Sequence, residues 1–167
     1  GIPRVLNMYE DFPFWFTFFN QLGCEVVLSD YTTKDQYNKA IDTIPSDTAC
    51  YPAKAVHGHI RDLAQAQVDL IWYPCIQHGP KEFSHDNNYH CPMVISYPEL
   101  IRNNMQDVMG KTPFYAPFLP LADKKSLVPA LVKALKDLPF SKSEISNAVE
   151  TAWAEQEKCK ADYREMT

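Results

Sequence analysis

Short apolar runs alternate with longer amphipathic segments along most of the chain. The apolar runs have the length of buried strands and predict five of them, at residues 2–8, 24–29, 68–73, 93–96 and 112–116. Segments with apolar residues three and four positions apart, several opened by Pro or a polar capping residue, predict helices at residues 14–22, 34–41, 53–66, 98–105, 125–138 and 143–164. Ser141 and Glu144 have the spacing of a capping box, which predicts where the last helix begins.

Strands and helices that alternate through short connections are typical of parallel sheets with right-handed crossovers. We therefore expect an α/β fold, namely a three-layer α/β/α sandwich of the Rossmann or flavodoxin type. Its sheet would be mostly parallel with four or five strands, and C-terminal helices would follow. Residues 1–121 would form the α/β core, and residues 122–167 would pack on it or extend from it. The opening Gly1-Ile2-Pro3, without an initiating Met or a signal peptide, indicates part of a longer polypeptide.

Composition and charge narrow the class of protein. The 167 residues are 46% hydrophobic and 22% charged, which is typical of a globular chain. The net charge is −5 and no block of Lys or Arg occurs, so we expect no nucleic-acid partner. No apolar run reaches the roughly 20 residues of a membrane span, so we expect no membrane-spanning segment. Five cysteines without a secretion signal favour a reduced, cytoplasmic location.

Three cysteines share one position relative to the predicted sheet. Cys50 precedes a helix, Cys75 follows a strand, and Cys91 precedes another strand. Ligands of open α/β sheets lie outside the carboxyl ends of the strands, so these thiols could converge there. Thiolates suit zinc, Cu(I) and iron–sulfur clusters. Their spacing is not that of a CxxC motif, however, and from spacing alone ordinary buried or half-buried thiols are the simpler interpretation.

Histidines offer a second interpretation of the same region. A polar loop at residues 77–90 carries His78, His85 and His90, and His78 or His90 could complete a structural zinc site with the three cysteines. A solvated surface loop is the simpler alternative for this segment. For His57 and His59, both on the predicted helix at 53–66, we expect exposure or satisfied hydrogen bonds. Cys24 and Cys159 are most simply a core residue and an incidental thiol. No Gly-rich phosphate loop and no GxSxG motif occurs.

Four long motifs resemble one known family. They read GIPRVLNMYEDFPFWFTFFNQLG, IPSDTACYPAKAVHGHI, VDLIWYPCI and YHCPMVISYPELI. They are similar to a domain of unknown function in CoA-substrate-specific enzyme activases, large multidomain proteins related to the 2-hydroxyacyl-CoA dehydratase system. The similarity covers residues 1–121, and the C-terminal helices match loosely.

This resemblance implies a fold, a cofactor and partners. The fold would be the first α/β half of a dehydratase subunit, in which cysteines at sheet ends hold a [4Fe–4S] or double-cubane cluster. Cys50 in TACYPAK, Cys75 in YPCI and Cys91 in YHCP would be the ligands. The partners would be activase ATPase modules and dehydratase-like modules of the parent protein, with an acyl-CoA as possible substrate. The domain would take part in ATP-driven, low-potential electron transfer, but it would be inactive alone because the ATPase motifs are missing. A non-catalytic docking or scaffold domain is the alternative, beside the zinc site.

Overall fold

The computed structural model describes residues 1–79 and 87–166. Helices dominate this part of the chain, and each strand found in it has only two residues. The α-helices and strands in chain order are α1 (Phe12–Gln21), α2 (Lys34–Lys39), α3 (Tyr51–Gln65), β1 (Ile71–Trp72), β2 (Cys75–Ile76), α4 (Pro92–Asn104), α5 (Gln106–Met109), β3 (Phe114–Tyr115), β4 (Phe118–Leu119), α6 (Lys124–Ala134) and α7 (Lys142–Met166), with 3-10 helices at Leu6–Met8 and Ile41–Thr43. No helix in the described ranges is both long enough and apolar enough to cross a membrane.

The expected sandwich of the Rossmann or flavodoxin type is wrong. Within the described residues the strands form two separate parallel pairs, β1 with β3 and β2 with β4, and no sheet of four or five strands exists. The first two predicted strands contribute a single parallel bridge between Ile2 and Leu28. The predicted strand at 93–96 lies inside helix α4. Of the loop at 77–90, residues 80–86, which include His85, lie outside the described part of the chain.

Proline explains much of this difference. Pro74 separates β1 from β2, and Pro117 separates β3 from β4. Pro117 has no N–H to donate to the ladder, which interrupts it there, whereas Tyr73 and Cys75, on either side of Pro74, both donate their N–H groups to the partner segment at 2.9 Å. At the predicted fourth strand, Pro92 favours the first turn of a helix, where its missing N–H costs nothing. A short apolar run does not distinguish a strand from a buried helix, and here the helix forms.

The chain divides into two compact units, of which the first contains Gly1–Met8 and Val27–Ala122. Helix α3 is its centre and packs against α2, α4, α5 and β1. Seven of the eight residues from Ala53 to Ile60 are buried, so the helix is covered on most sides. Gly58 allows α2 to lie close to α3, because a Cβ at residue 58 would be 2.8 Å from the backbone oxygen of Gln36. The strand β1 and Tyr73 complete this core, with Trp72 and Tyr73 fully buried.

The second unit contains Tyr9–Val26 and Asp123–Thr167, and helices α1, α6 and α7 form its described core. Helix α1 buries an aromatic face of Phe14, Trp15, Phe18 and Phe19. Phe14 meets Trp153 of α7 edge to face, with ring centroids 6.2 Å apart.

The predicted capping box of the last helix is confirmed. The N–H of Ser141 donates to a Glu144 carboxylate oxygen at 2.8 Å, and the N–H of Glu144 donates to the Ser141 hydroxyl at 3.2 Å. Two of the otherwise unpaired N–H groups at the start of α7 are therefore satisfied.

Candidate functional site

Cys50 and Cys91 occupy equivalent positions on two neighbouring helices. Each is the N-cap residue of its helix, Cys50 of α3 and Cys91 of α4, with φ and ψ of −63° and 152° for Cys50 and −64° and 153° for Cys91. Each helix has a proline in its first turn, which fixes where the helix begins. Both cysteines are exposed. The N-terminus of a helix attracts negative charge, so both sulfurs lie where anionic ligands are favoured.

Cys75 lies in a different environment. It is fully buried in β2, which packs on α4. Burial raises the pKa of its thiol to about 11, and the charge of Glu99 raises it further, while a backbone hydrogen bond from Glu99 and the charge of Arg102 lower it in part. At neutral pH the Cys75 side chain is therefore a protonated thiol in this structure.

Two helices of the first unit are joined by a buried hydrogen-bond chain. The hydroxyl of Thr43 donates its proton to the carbonyl of Ala40 at 2.7 Å, so it can only accept from Nδ1 of His57, 2.8 Å away. His57 is thus protonated on Nδ1, and its Nε2 accepts the hydroxyl proton of Tyr97 at 3.1 Å. This assignment commits the only proton of the Tyr97 hydroxyl to His57.

Tyr73 and Tyr97, the tyrosine pair, are both fully buried in the first unit. Burial raises the pKa of Tyr73, and the charges of Cys75, Tyr97 and Cys91 raise it further. The pKa of Tyr97 is raised to about 12, mainly by burial and to a smaller extent by the charges of Cys50 and Tyr37.

The three sulfurs do not share one coordination site in the described conformation. No group of three or more His, Cys, Asp or Glu side chains at the described positions is arranged to hold a metal ion. The Cys75 sulfur contacts the backbone of Glu99, which lies eight residues, or roughly 12 Å of helix, beyond Cys91 in α4.

Thiolates are ligands that soft metals prefer, so the residue types suit such a centre although their described positions do not form one. Two of the three thiols, those of Cys50 and Cys91, lie at helix N-termini. The hydroxyl of Tyr73 is buried and has no hydrogen-bond partner among the described residues, so a donor is present without an acceptor. A cluster held by these three cysteines would require Cys75 and the N-terminus of α4 to approach one another.

The histidines of the polar loop have other neighbours. His78 forms an antiparallel bridge with Tyr89, and their rings lie 4.3 Å apart between centroids. The Nδ1 atom of His78 lies 3.3 Å from the side-chain oxygen of Asn88. The backbone N–H of His90 donates to the carbonyl of Gln77 at 3.0 Å. At the described positions neither His78 nor His90 belongs to a metal-binding group with the cysteines.

Of the two alternatives for His57 and His59, satisfied hydrogen bonds are confirmed and exposure is wrong. His59 is fully buried, with Nδ1 2.8 Å from the Ser29 hydroxyl and Nε2 2.9 Å from the Thr32 hydroxyl. Burial lowers the pKa of His57 and of His59 to about 4, and both are neutral at pH 7.

Sequence reasoning missed the tyrosine pair, although a local signal marks it. The chain contains three Tyr-Pro dipeptides, at residues 51–52, 73–74 and 97–98. The first follows Cys50, the second precedes Cys75, and the third lies one turn and a half into the helix that Cys91 caps. A tyrosine followed by proline therefore occurs near each of the three cysteines. This repeated pattern would have indicated Tyr73 and Tyr97.

Comparison with known proteins gives one match. The model of the family described as CoA enzyme activase uncharacterised domain matches residues 1–167. No curated protein and no solved structure matches the chain.

Proposed function

Because the chain belongs to the CoA enzyme activase uncharacterised domain family, we propose that it serves an activase-like protein as a module that binds an iron–sulfur cluster. Cys50, Cys75 and Cys91 are its ligands in this proposal. The observation that carries it is the pair of exposed N-cap cysteines, Cys50 and Cys91, on helices that meet at Tyr97. The N-terminus of a helix stabilises negative charge, which favours a thiolate ligand at each of these two positions.

Three thiolates leave one iron of a [4Fe–4S] cluster with a ligand from elsewhere. That ligand would come from another module, from water or from a substrate. A bound cluster would supply a one-electron carrier, whose potential depends on net charge and on hydrogen bonds to its sulfurs. The residues of this domain would set those two properties. Electron transfer toward a CoA thioester, driven by ATP hydrolysis in neighbouring activase modules, is the corresponding role in the parent protein.

Cys75 makes cluster binding depend on proton release. A metal binds the thiolate, and burial holds the pKa of this thiol at about 11. The two exposed cysteines would therefore bind first, and Cys75 would join as its proton leaves. We expect cluster uptake to become more complete as the pH rises from 7 toward 9.

The test is anaerobic reconstitution with iron and sulfide, followed by assays of iron, acid-labile sulfide and zinc. We expect the wild-type protein to bind about four irons and four sulfides per chain or per dimer and to lose absorption in the visible range on reduction. The variants Cys50→Ser and Cys91→Ser should lose most of this content. The variants Cys24→Ser and Cys159→Ser, both at half-buried cysteines, are the matched controls and should keep it.

Three outcomes separate the alternatives. Loss of iron and sulfide together in Cys50→Ser and Cys91→Ser supports the cluster. Zinc without acid-labile sulfide contradicts it and favours a structural zinc site. Equal and negligible metal in all five proteins also contradicts it and leaves a docking domain for the activase and dehydratase-like modules.

A further inference from the structure

Arg4 carries a guanidinium group that has no counter-charge at the described positions. Arg61 and Arg102 each form an ion pair with a nearby carboxylate, whereas no carboxylate in the described part of the chain pairs with Arg4. The Arg4 side chain is half-buried, and its Nε is enclosed without a hydrogen-bond partner there. Its two Nη nitrogens are not enclosed and remain open to solvent. A half-buried cation without a partner is unfavourable, which favours an anion that binds to it.

The chain segment that faces Arg4 is held in place by hydrogen bonds. The N–H of Arg4 donates to the Ser29 hydroxyl at 2.8 Å, and this hydroxyl lies 2.8 Å from Nδ1 of His59. The other ring nitrogen, Nε2, lies 2.9 Å from the hydroxyl of Thr32. Between these two anchors the Tyr31 ring covers one face of the guanidinium, with Cζ of Arg4 4.1 Å from the ring centroid. The stacked guanidinium is therefore oriented in advance and only partly hydrated, and both properties strengthen its hydrogen bonds to an anion.

The neighbouring ionisable groups leave the charge of Arg4 uncompensated. Burial lowers the pKa of His59 to about 4, so this residue is neutral at pH 7. Asp30 is exposed and forms no ion pair with Arg4. The whole chain has a net charge of −5, so general attraction does not hold an anion at this position and the guanidinium has to bind it directly.

We propose that Arg4 binds an oxyanion, a carboxylate or a phosphate, through its two Nη nitrogens, and that Tyr31 keeps the guanidinium in position. The planar guanidinium can donate two parallel hydrogen bonds to the oxygens of either group, which a lysine cannot do. All residues of this site belong to the first unit, and none of the three cysteines takes part. The inference is therefore independent of the proposed function.

The experiment uses inorganic phosphate and acetate as separate probes, each titrated into the isotope-labelled whole chain at constant ionic strength and followed by NMR. We expect saturable shifts of the Arg4 Nε–H signal and of the Tyr31 amide signal. Followed at the Tyr31 amide, Arg4→Gln should weaken binding at least about 10-fold, the effect of losing one hydrogen bond to a charged group. Arg102→Gln is the matched control, because Arg102 already has a carboxylate partner, and it should bind like the wild type.

Two substitutions at Tyr31 test the role of its ring. Tyr31→Ala removes the stacking and should weaken binding roughly 2- to 5-fold. Tyr31→Phe keeps the ring and should bind like the wild type. Equal affinity in Tyr31→Ala and wild type would overturn the role assigned to Tyr31.

The two probes distinguish the two kinds of ligand. Saturation by phosphate alone supports a phosphate ligand, and saturation by acetate alone supports a carboxylate. Shifts that rise linearly with both salts, or wild-type affinity in Arg4→Gln, would overturn the inference. If circular dichroism shows that Arg4→Gln is unfolded, Arg4→Lys takes its place, since it keeps the charge but not the paired donors. Equal affinity in Arg4→Lys and wild type would then overturn the inference.

Discussion

Tyr97 donates its hydroxyl proton to Nε2 of His57, and this bond of 3.1 Å joins helix α4 to helix α3. The two rings meet edge to face, with centroids 5.8 Å apart. Each helix carries one of the exposed N-cap cysteines, so the bond holds together the two elements that position the candidate site.

Removal of this bond should destabilise the first unit. Tyr97→Phe keeps the ring but leaves Nε2 of a fully buried histidine without its donor. We expect the free energy of unfolding to fall by about 1–3 kcal/mol. Urea unfolding followed by circular dichroism measures this, with Tyr115→Phe as the control. A Tyr97→Phe protein as stable as that control would contradict the assigned hydrogen bond.

Acid should weaken the fold before the carboxylates titrate. Burial lowers the pKa of His57 and His59 to about 4, against about 6.5 in the unfolded chain. Between these values the unfolded chain binds protons that the folded chain does not, so the free energy of unfolding falls as the pH drops from 6.5 toward 4. The full effect is about 3 kcal/mol for each histidine.

Urea titrations at pH 7.5, 5.5 and 4.5 test this dependence. His57→Asn keeps a donor toward Thr43. It should reduce the fall in the free energy of unfolding between pH 7.5 and 4.5 by the contribution of one histidine. If the free energy of unfolding depended on pH equally in wild type and His57→Asn, His57 would have the same pKa in the folded and unfolded chain, which would contradict the prediction.

The three site cysteines should differ in their reaction with iodoacetamide. Cys50 and Cys91 are exposed, whereas Cys75 is fully buried and its pKa is raised to about 11. We expect Cys50 and Cys91 to be alkylated under native conditions and Cys75 only after unfolding in urea, since the thiolate is the reactive form. Peptide mass spectrometry at several times measures each site. Alkylation of Cys75 at the rate of Cys50 would contradict its burial.

Gln156 supplies the cap that helix α1 lacks locally. The side chain of Asp11 makes no capping hydrogen bond, but the Gln156 Oε1 accepts the N–H of Phe14 at 3.0 Å and its Nε2 donates to the Glu10 carbonyl at 2.8 Å. Gln156→Ala should therefore lower the free energy of unfolding by about 0.5–2 kcal/mol, the range found for lost N-caps.

Gln156→Glu separates the two bonds of this cap. It keeps the acceptor for Phe14, adds negative charge near a helix N-terminus and loses only the donor to Glu10, so it should cost less than Gln156→Ala. Lys158→Ala, an exposed substitution on the same helix, should change stability little. Equal losses in Gln156→Ala and Lys158→Ala would mean that the cap contributes nothing.

Local signals predicted the helices and failed on the sheet. The predicted helix at 53–66 is confirmed as Tyr51–Gln65, and the one at 143–164 as Lys142–Met166. Both begin at features that a sequence displays, a proline in the first turn and a capping box. The strands depend instead on which distant segments pair, and Pro117, which has no N–H to donate, interrupts that pairing.

The candidate site was predictable in its residue types but not in its connections. A cysteine before a helix can be recognised in the sequence, and Cys50 does lie at such a position. The pairing of His57 with Tyr97 spans 40 residues and depends on how two helices pack, which no local pattern encodes. The same holds for Gln156, since nothing near Phe14 indicates a partner 142 residues away.

The order of synthesis gives the second unit a particular difficulty. Helix α1 ends at Gln21 and its partner α7 begins at Lys142, so about 120 residues are made between them. At a synthesis rate of roughly 5–20 residues per second, the aromatic face of α1 stays uncovered for on the order of ten seconds before the ribosome has made α7. During that time the nascent chain carries an uncovered patch of Phe and Trp side chains, which is the kind of surface that chaperones bind. Translation speed across the intervening segment therefore bears on the yield of folded protein.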